Sequence, residues 1–435
     1  MDRTSSKSLR LGVAGIAAIA AWQCGLSSPA AWAQTPPPPP PAAAPTPAEA
    51  PAAAPAAPTS PLTAPSYAGP LVQNPEPLHA DLIGLGTVYL TGAVSGIGLF
   101  QSNPIGSVFN PAGKLLGSDR NNTVDLSNGF AIIQKIDGPV QFYAQVGAYS
   151  LPALGVNYNQ TQRAGDTSRY YFGPLPEAYL KIAPMDNFSV SGGNLPSLIG
   201  NESTFTFQNM NIERGLLWNL EPAISRGVQA NLTTGPVAWA VSVNDGFYSS
   251  NISWITGLAT WTIDPANTLA VAAGGNFDGN TKTNSIAAPY VLNNSTVLNV
   301  IYTYNAAPFT ISPYFQFTNN GHNAAITGAT KDAQTWGGAI LANYNINDNW
   351  NLAGRFEYVS SSGNLTDGSA NPLGFGPGSS AYSFTVTPTW QSGIYFGRLE
   401  GSYVNVQDIA PGFGFGKSGN SKDQARLVVE VGVLF

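Results

Sequence analysis

Residues 425–435, ARLVVEVGVLF, separate into two faces when every second position is taken. Phe435, Val433, Val431, Val429 and Leu427 form one phase, wholly apolar. Leu434, Gly432, Glu430, Val428 and Arg426 form the other, which holds both charges. A period of two places alternate side chains on opposite sides of a strand. The fold then turns on what meets the apolar side, a protein core or lipid.

The chain before this stretch repeats the pattern. From Gly86 onward it divides into sixteen short runs, near 87–100, 128–136, 140–150, 177–183, 188–194, 225–233, 237–244, 252–263, 268–277, 296–305, 309–318, 335–346, 350–359, 381–390, 394–405 and 425–435. In YSFTVTPTW, Tyr382, Phe384, Val386, Pro388 and Trp390 oppose Ser383, Thr385, Thr387 and Thr389. In WNLAGRFEY, Trp350, Leu352, Phe356 and Tyr358 oppose Asn351, Arg355 and Glu357. The connections alternate strictly. After every second run comes a short turn (DGP, APMDN, TGP, DPAN, AAP, NDN, QSG), and most of the others are long and polar. All short turns therefore lie at one end of the sheet and all long loops at the other, the pattern of an up-and-down transmembrane β-barrel.

A soluble β-sandwich or β-solenoid also has an apolar face and is the alternative. Composition argues against it. Charged residues are 10% of the 435, where a soluble domain carries roughly 25%. The polar phase is small and uncharged, as suits a water-filled lumen. Aromatics gather at strand ends, with Trp239, Trp261, Phe309, Trp350, Trp390 and Phe435 toward the short turns. Trp254, Phe317, Trp336, Tyr358, Tyr382 and Tyr403 lie toward the long loops. Two such girdles mark two membrane interfaces. A closed ring also satisfies every backbone N–H and C=O in hydrocarbon. The expectation is an all-β transmembrane antiparallel barrel of about 16 strands, within 14–18, over residues 81–435. Pro313 and Pro388 fall inside expected strands, where each removes a ladder hydrogen bond, so bulges or a shifted boundary are expected there.

The N-terminus reads as a signal peptide, residues 1–33. Lys7 and Arg10 precede the apolar core Leu11–Trp22, and Ala31-Trp32-Ala33 fits the cleavage pattern. Cleavage removes Cys24, and with it any disulfide or thiol chemistry. It also removes three basic residues of 18 and one acid of 24, leaving 15 − 23, a formal charge of −8. No cluster of Lys and Arg is present to neutralise phosphates, so nucleic acid is not an expected partner. Residues 34–80 form a Pro/Ala-rich periplasmic linker. Such composition cannot bury a core and favours disordered, extended chain, either a passive spacer or a tether reaching the cell wall.

Residues 81–435, and most of all GNLPSLIGNESTFTFQNMNIERGLLWNLEPAISRGVQANL, resemble the OmpL-like family of outer-membrane β-barrel porins. The terminal Phe435 with apolar alternate neighbours resembles the signal read by the outer-membrane barrel assembly machinery. The resemblance implies an outer-membrane location in bacteria, contact with outer-membrane lipid, and passive transport of small polar solutes. A homotrimer is common among porins with such loops. No catalytic residue, cofactor or metal comes with the resemblance. His79 and His322 stand in no nucleophilic arrangement, and GFGFG at 412–416 lacks the context of a phosphate loop.

The longest connection, 195–224, corresponds to the loop that folds inward and narrows the pore in sixteen-stranded porins. Glu202, Glu213, Arg214 and Glu221, with Arg226 just beyond, are the candidate constriction, setting up a transverse field that sorts solutes by charge. An outward, solvated loop is the alternative. The inner phase of the strands adds four same-face pairs as lumen wall: Glu177 with Lys181, Arg355 with Glu357, Arg398 with Glu400, and Arg426 with Glu430. The last two pairs lie on adjacent strands and suggest a cross-strand ladder, either scaffolding or a selective wall. A non-conducting barrel acting as surface adhesin or envelope anchor is the competing function.

Overall fold

A computed structural model describes residue 62 and residues 69–105, 120–161, 171–282 and 290–435. The expected signal peptide and the linker up to residue 61 lie outside the described residues.

The chain forms a closed antiparallel barrel of sixteen long strands, with one short strand added at the seam. The short one is β1 (Leu78–Leu82). Then follow β2 (Gly86–Gln101), β3 (Asn122–Lys135), β4 (Val140–Tyr149), β5 (Glu177–Met185), β6 (Phe188–Pro196), β7 (Ile224–Thr234), β8 (Val237–Asn244) and β9 (Trp254–Asp264). The circuit continues with β10 (Asn267–Asn276), β11 (Ser295–Ala306), β12 (Phe309–Asn320), β13 (Ala333–Asn345), β14 (Trp350–Ser361), β15 (Ser380–Ser392), β16 (Tyr395–Gln407) and β17 (Asp423–Leu434). From β2 to β17, each strand pairs with its sequence neighbours. The ring closes where β17 meets β2, Arg426 opposite Gln101 and Leu434 opposite Ala93. Phe435 adds one more rung: its N–H donates to the Gly92 carbonyl at 3.0 Å and its own carbonyl accepts from Gly92 at 2.8 Å. A side chain at position 92 would collide with the Phe435 ring, which is why glycine stands there. Beyond that point the free edge of β2 is taken by β1, Leu78 opposite Leu90 and Leu82 opposite Gly86. Pairing thus already begins at Leu78.

The faces sort as the alternation requires. On β15, Phe384 and Val386 are about half exposed outward while Ser383, Thr385, Thr387 and Thr389 are buried inward. On β17, Leu427, Val429 and Val431 point out and Val428 and Glu430 point in. The greasy half of each ribbon faces away from the protein, where only acyl chains can solvate it. Trp239, Trp261, Trp350 and Trp390 form an exposed girdle by the short turns, and Trp336, Tyr358 and Tyr403 are exposed toward the long loops. Trp254 departs from this set. It is fully buried, packs edge-on against Phe247 at 5.5 Å, and donates its Nε1–H to the Asn293 carbonyl. Its indole faces the loops, not lipid.

Two local expectations are corrected. No bulge forms at either proline. Ile301 opposes Tyr314 and Tyr304 opposes Ile311, so register is unchanged across Pro313 and only the intervening rungs are lost. The same holds at Pro388, between Val386 opposite Gly401 and Thr389 opposite Arg398. The bulges lie elsewhere. In β3, Asn128 opposes Ser95 and Leu126 opposes Gly96, leaving Ser127 extra. An extra residue flips the phase of alternation, which is why β3 begins at Asn122 although its pattern becomes readable only near 128.

Candidate functional site

The loop between β6 and β7, residues 197–223, enters the barrel and lies against the inner face of β14–β17. Apolar side chains seat it at two places. Phe205 and Phe207 pack with Phe130 and Tyr149, the Phe130–Phe205 rings meeting edge to face at 4.7 Å. Leu216, Leu217 and Leu220 join Leu341, Ala353 and Val359 of the far wall. Two single turns of 3-10 helix, Thr206–Gln208 and Trp218–Leu220, let the loop double back in little space.

Charged side chains of the strands then bind the loop backbone. Glu357 accepts from the Leu216 and Leu217 N–H groups at 3.0 and 3.3 Å and from Ser383 Oγ at 2.7 Å. Gly215 makes this approach feasible, because a Cβ there would lie 2.1 Å from the Glu357 carboxylate. Glu400 accepts from Ile212 and Glu213 N–H at 2.5 and 3.0 Å. The Arg398 guanidinium donates to the carbonyls of Thr206, Asn209 and Met210. Glu430 accepts from Thr206 Oγ1 at 2.6 Å and sits 3.5 Å from Arg398. Two loop carboxylates reach the wall in return: Glu202 pairs with Arg355 at 2.5 Å and Glu213 with Arg426 at 2.6 Å. All of these groups are buried. Hydrogen bonds to charged partners are the strong ones, and here each charge is hydrogen-bonded and all but Glu400 also stand within ion-pair distance of an opposite charge.

Of the expected cross-strand ladder, only Arg398–Glu430 is a direct rung; Glu400 and Arg426 turn to the loop instead. Glu177 and Lys181 share the inner face of β5, and no ion pair joins them among the described contacts. Arg226 is not brought to the cluster. It belongs to the same phase of β7 as the outward Val228 and Leu232. At the rim its guanidinium binds Asp245 at 2.8 Å, the Tyr248 carbonyl and Ser250 Oγ, and lies 3.8 Å above the Tyr248 ring.

Two charges of the loop have no ion-pair partner within 4 Å among the described residues. They are Arg214 and Glu221. Arg214 stacks over Trp218 at 5.0 Å. Burial pulls the Arg214 pKa down to about 10. It pushes the Glu221 carboxyl well above the ordinary carboxylate range, with Glu202 and Glu357 adding repulsion and the nearby Tyr314 hydroxyl opposing them in part.

A second inward segment was not legible beforehand. Residues 150–161 run beside the loop, where Ala153 bridges to Arg214 and Arg426 donates to the Ala153 and Val156 carbonyls. Asp125 holds it from β3 by accepting from Tyr158 OH at 3.2 Å. The partners that define it lie in distant strands, and its sequence carries no charge to mark it.

On the side away from β14–β17, cavities follow one another between the two ends. Near the long loops, about 270 Å³ is lined by Asn157, Tyr171, Trp218, Glu221 and Ala223. Ala223 also lines the next, about 280 Å³ between Gly200, Thr260, Ala270 and Thr303. That space adjoins, at Pro196, a cavity of about 840 Å³ opening among the short turns, lined by Gln141, Lys181, Ser189, Ser191, Gln229 and Asn231. The arrangement is a ring of lipid-facing strands around a polar interior, crossed by two inward segments, 150–161 and 197–223, and passed on one side by a row of spaces.

That is the architecture of an outer-membrane channel barrel. Residues 87–435 match the family described as "Putative beta-barrel porin-2, OmpL-like", and the chain belongs to it. It is a porin-family barrel of the bacterial outer membrane. Among solved structures, it is similar to an anion-selective porin from Comamonas acidovorans, at 11% identity and TM-score 0.52, over 80% of this chain and 99% of that one. It is also similar to OmpT of Vibrio cholerae lacking loop L8, at 13% identity and TM-score 0.51, over 81% of this chain and 100% of that one. A third is the outer membrane channel DcaP of Acinetobacter baumannii, at 12% identity and TM-score 0.50, over 80% and 97%. At such identities the likeness is one of fold. No curated protein matches the sequence.

Proposed function

We propose that the protein passes small hydrophilic solutes or ions by diffusion through its lumen, and that loop 197–223 is the narrowing. The observation that carries this reading is the division of the loop's charges. Glu202 and Glu213 are engaged by Arg355 and Arg426, whereas Arg214 and Glu221 are not. Glu221 lines the cavity nearest the long loops, so solutes pass beside an uncompensated carboxylate with Arg214 behind Trp218. A fixed charge in a confined, poorly hydrated passage acts strongly on permeating ions. Above the raised pKa of Glu221 the expected preference is for cations over anions, and below it that preference is lost.

The test is stepwise conductance of the folded protein in planar bilayers, with reversal potential measured under a salt gradient. Glu221→Gln should move the reversal potential toward anions and Arg214→Ala toward cations. Unchanged potentials in both variants would remove the loop from the selectivity mechanism. An electrically silent, folded barrel would turn the reading to a surface adhesin or envelope anchor. Liposome swelling with sugars, amino acids and organic acids ranks the solutes.

A further inference from the structure

Immediately before β1, residues 69–73 lie inside the short-turn end of the barrel. Leu71 is 1% exposed. It belongs to the apolar cluster of Phe130, Ile132, Tyr143, Phe207 and Leu434, which joins the closure seam to the inward loop. Val72 is held by its backbone alone. Its N–H donates to Gln391 Oε1 at 2.8 Å and its carbonyl accepts from Gln391 Nε2 at 2.8 Å. A side-chain amide that satisfies both backbone groups of one residue does what a neighbouring strand would do. Gly69 lies so close under the loop that an added Cβ would sit 2.7 Å from the Asn209 carbonyl oxygen. With Pro70 it walls a cavity of about 360 Å³ shared with Asn201, Thr303, Ser312 and Asn343. Asn201 and Thr303 also line the space beneath Gly200 and Ala270, so this cavity is a second continuation of the row.

Three separate contacts therefore hold one short stretch of otherwise Pro/Ala-rich chain: an apolar socket, a backbone clamp and the underside of the loop. We propose that the short-turn mouth is a docking site for an extended apolar peptide, that its resident occupant is this chain's own segment 69–73, and that occupancy closes the branch of the lumen beneath the loop. The chemistry of the site is one buried aliphatic side chain flanked by an extended backbone. The tether favours self-occupancy. Five residues, 73–77, separate Val72 from β1, a span of at most about 18 Å, so the local concentration of the segment is high. The proposal rests on the porin reading for its consequence and on the socket alone for its binding.

The test uses the full mature chain and three variants: Leu71→Asp, Gln391→Ala, and deletion of residues 34–73. Folding is checked first by resistance of the barrel to unfolding in detergent at room temperature. A labelled peptide spanning residues 69–77 is then titrated onto each. It should bind the deletion variant at least tenfold more tightly than the intact chain, and a peptide with Leu71→Asp should not bind. In bilayers, Leu71→Asp and the deletion should each raise single-channel conductance about twofold or more, and the unmodified peptide should reverse the rise in the deletion variant. Equal conductance in a conducting wild type and its deletion variant overturns the plug while leaving the porin reading intact. Peptide binding to barrels that never conduct overturns the porin reading and keeps the socket. A deletion variant that does not bind the peptide overturns the proposal.

Discussion

The wall formed by β14–β17 and the wall formed by β5–β8 carry opposite inward surfaces. The first presents Arg355, Glu357, Arg398, Glu400, Arg426 and Glu430, all buried and all bonded to the inward loops or to one another. The second presents Ser189, Ser191, Gln229 and Asn231, which line the cavity of about 840 Å³; Gln229 Nε2 donates to Asn231 Oδ1 at 2.7 Å and Asn231 Nδ2 to Ser189 Oγ at 3.3 Å. Charges on barrel strands are easily taken for filters. Here they act as fasteners, and the open side is the side nearly without them. A backbone segment crossing a polar interior must have its N–H and C=O groups satisfied. Ionised side chains do that with fewer groups than hydroxyls, because charge-assisted bonds are roughly twice as strong.

The largest expected effect comes from breaking a fastener. Arg355→Met leaves Glu202 and Glu357 buried without their cation and should cost about 3 kcal/mol, read by urea unfolding of the folded barrel. A loss under about 1 kcal/mol, the range of exposed pairs, would mean that water reaches this wall as freely as the other. Glu400→Gln keeps the shape but turns an amide NH₂ toward one of the two N–H donors, Ile212 or Glu213, which bond different carboxylate oxygens. About 2 kcal/mol should be lost, accompanied by noisier open-channel current as the loop loosens.

A smaller effect sharpens the open side. Because the Glu221 pKa is raised by burial, its charge is lost as pH falls through that raised value, and its share of cation preference goes with it. The uncharged form is the easier one to bury. Glu221 therefore lowers stability as pH climbs from the ordinary carboxylate value through the raised one. Glu221→Gln should remove both dependences, with reversal potential and unfolding midpoint compared from pH 4 to pH 9. The smallest effect is expected at Arg226→Ala. Its guanidinium serves the outer rim, and an altered ion preference would place the filter outside the inward loop.

The strands were legible because alternation and short turns are local signals. What escaped was what local signals cannot carry. Ser127 hides the first half of β3 by flipping its phase. Trp254 has the residue type of a girdle and the surroundings of a core. The charged residues could be assigned to the inner face from spacing. Their partners could not, since Leu217 meets Glu357 from 140 positions away and Thr206 meets Glu430 from 224. Loop length and charge pointed to 195–224, while the equally inward 150–161 offered no such cue.

The seam has a kinetic meaning. Ser95 Oγ hydrogen-bonds to Glu430 across a separation of 335 positions, and the two strands that carry them cannot meet until both have been synthesised. Ring closure is thus the contact with the largest entropy to overcome. Until it happens, β2 and β17 each present a bare row of amides and carbonyls to their surroundings. A newly exported chain must therefore be kept from pairing with its neighbours throughout its passage between the two membranes, and shielding it during that interval is a separate requirement from inserting it.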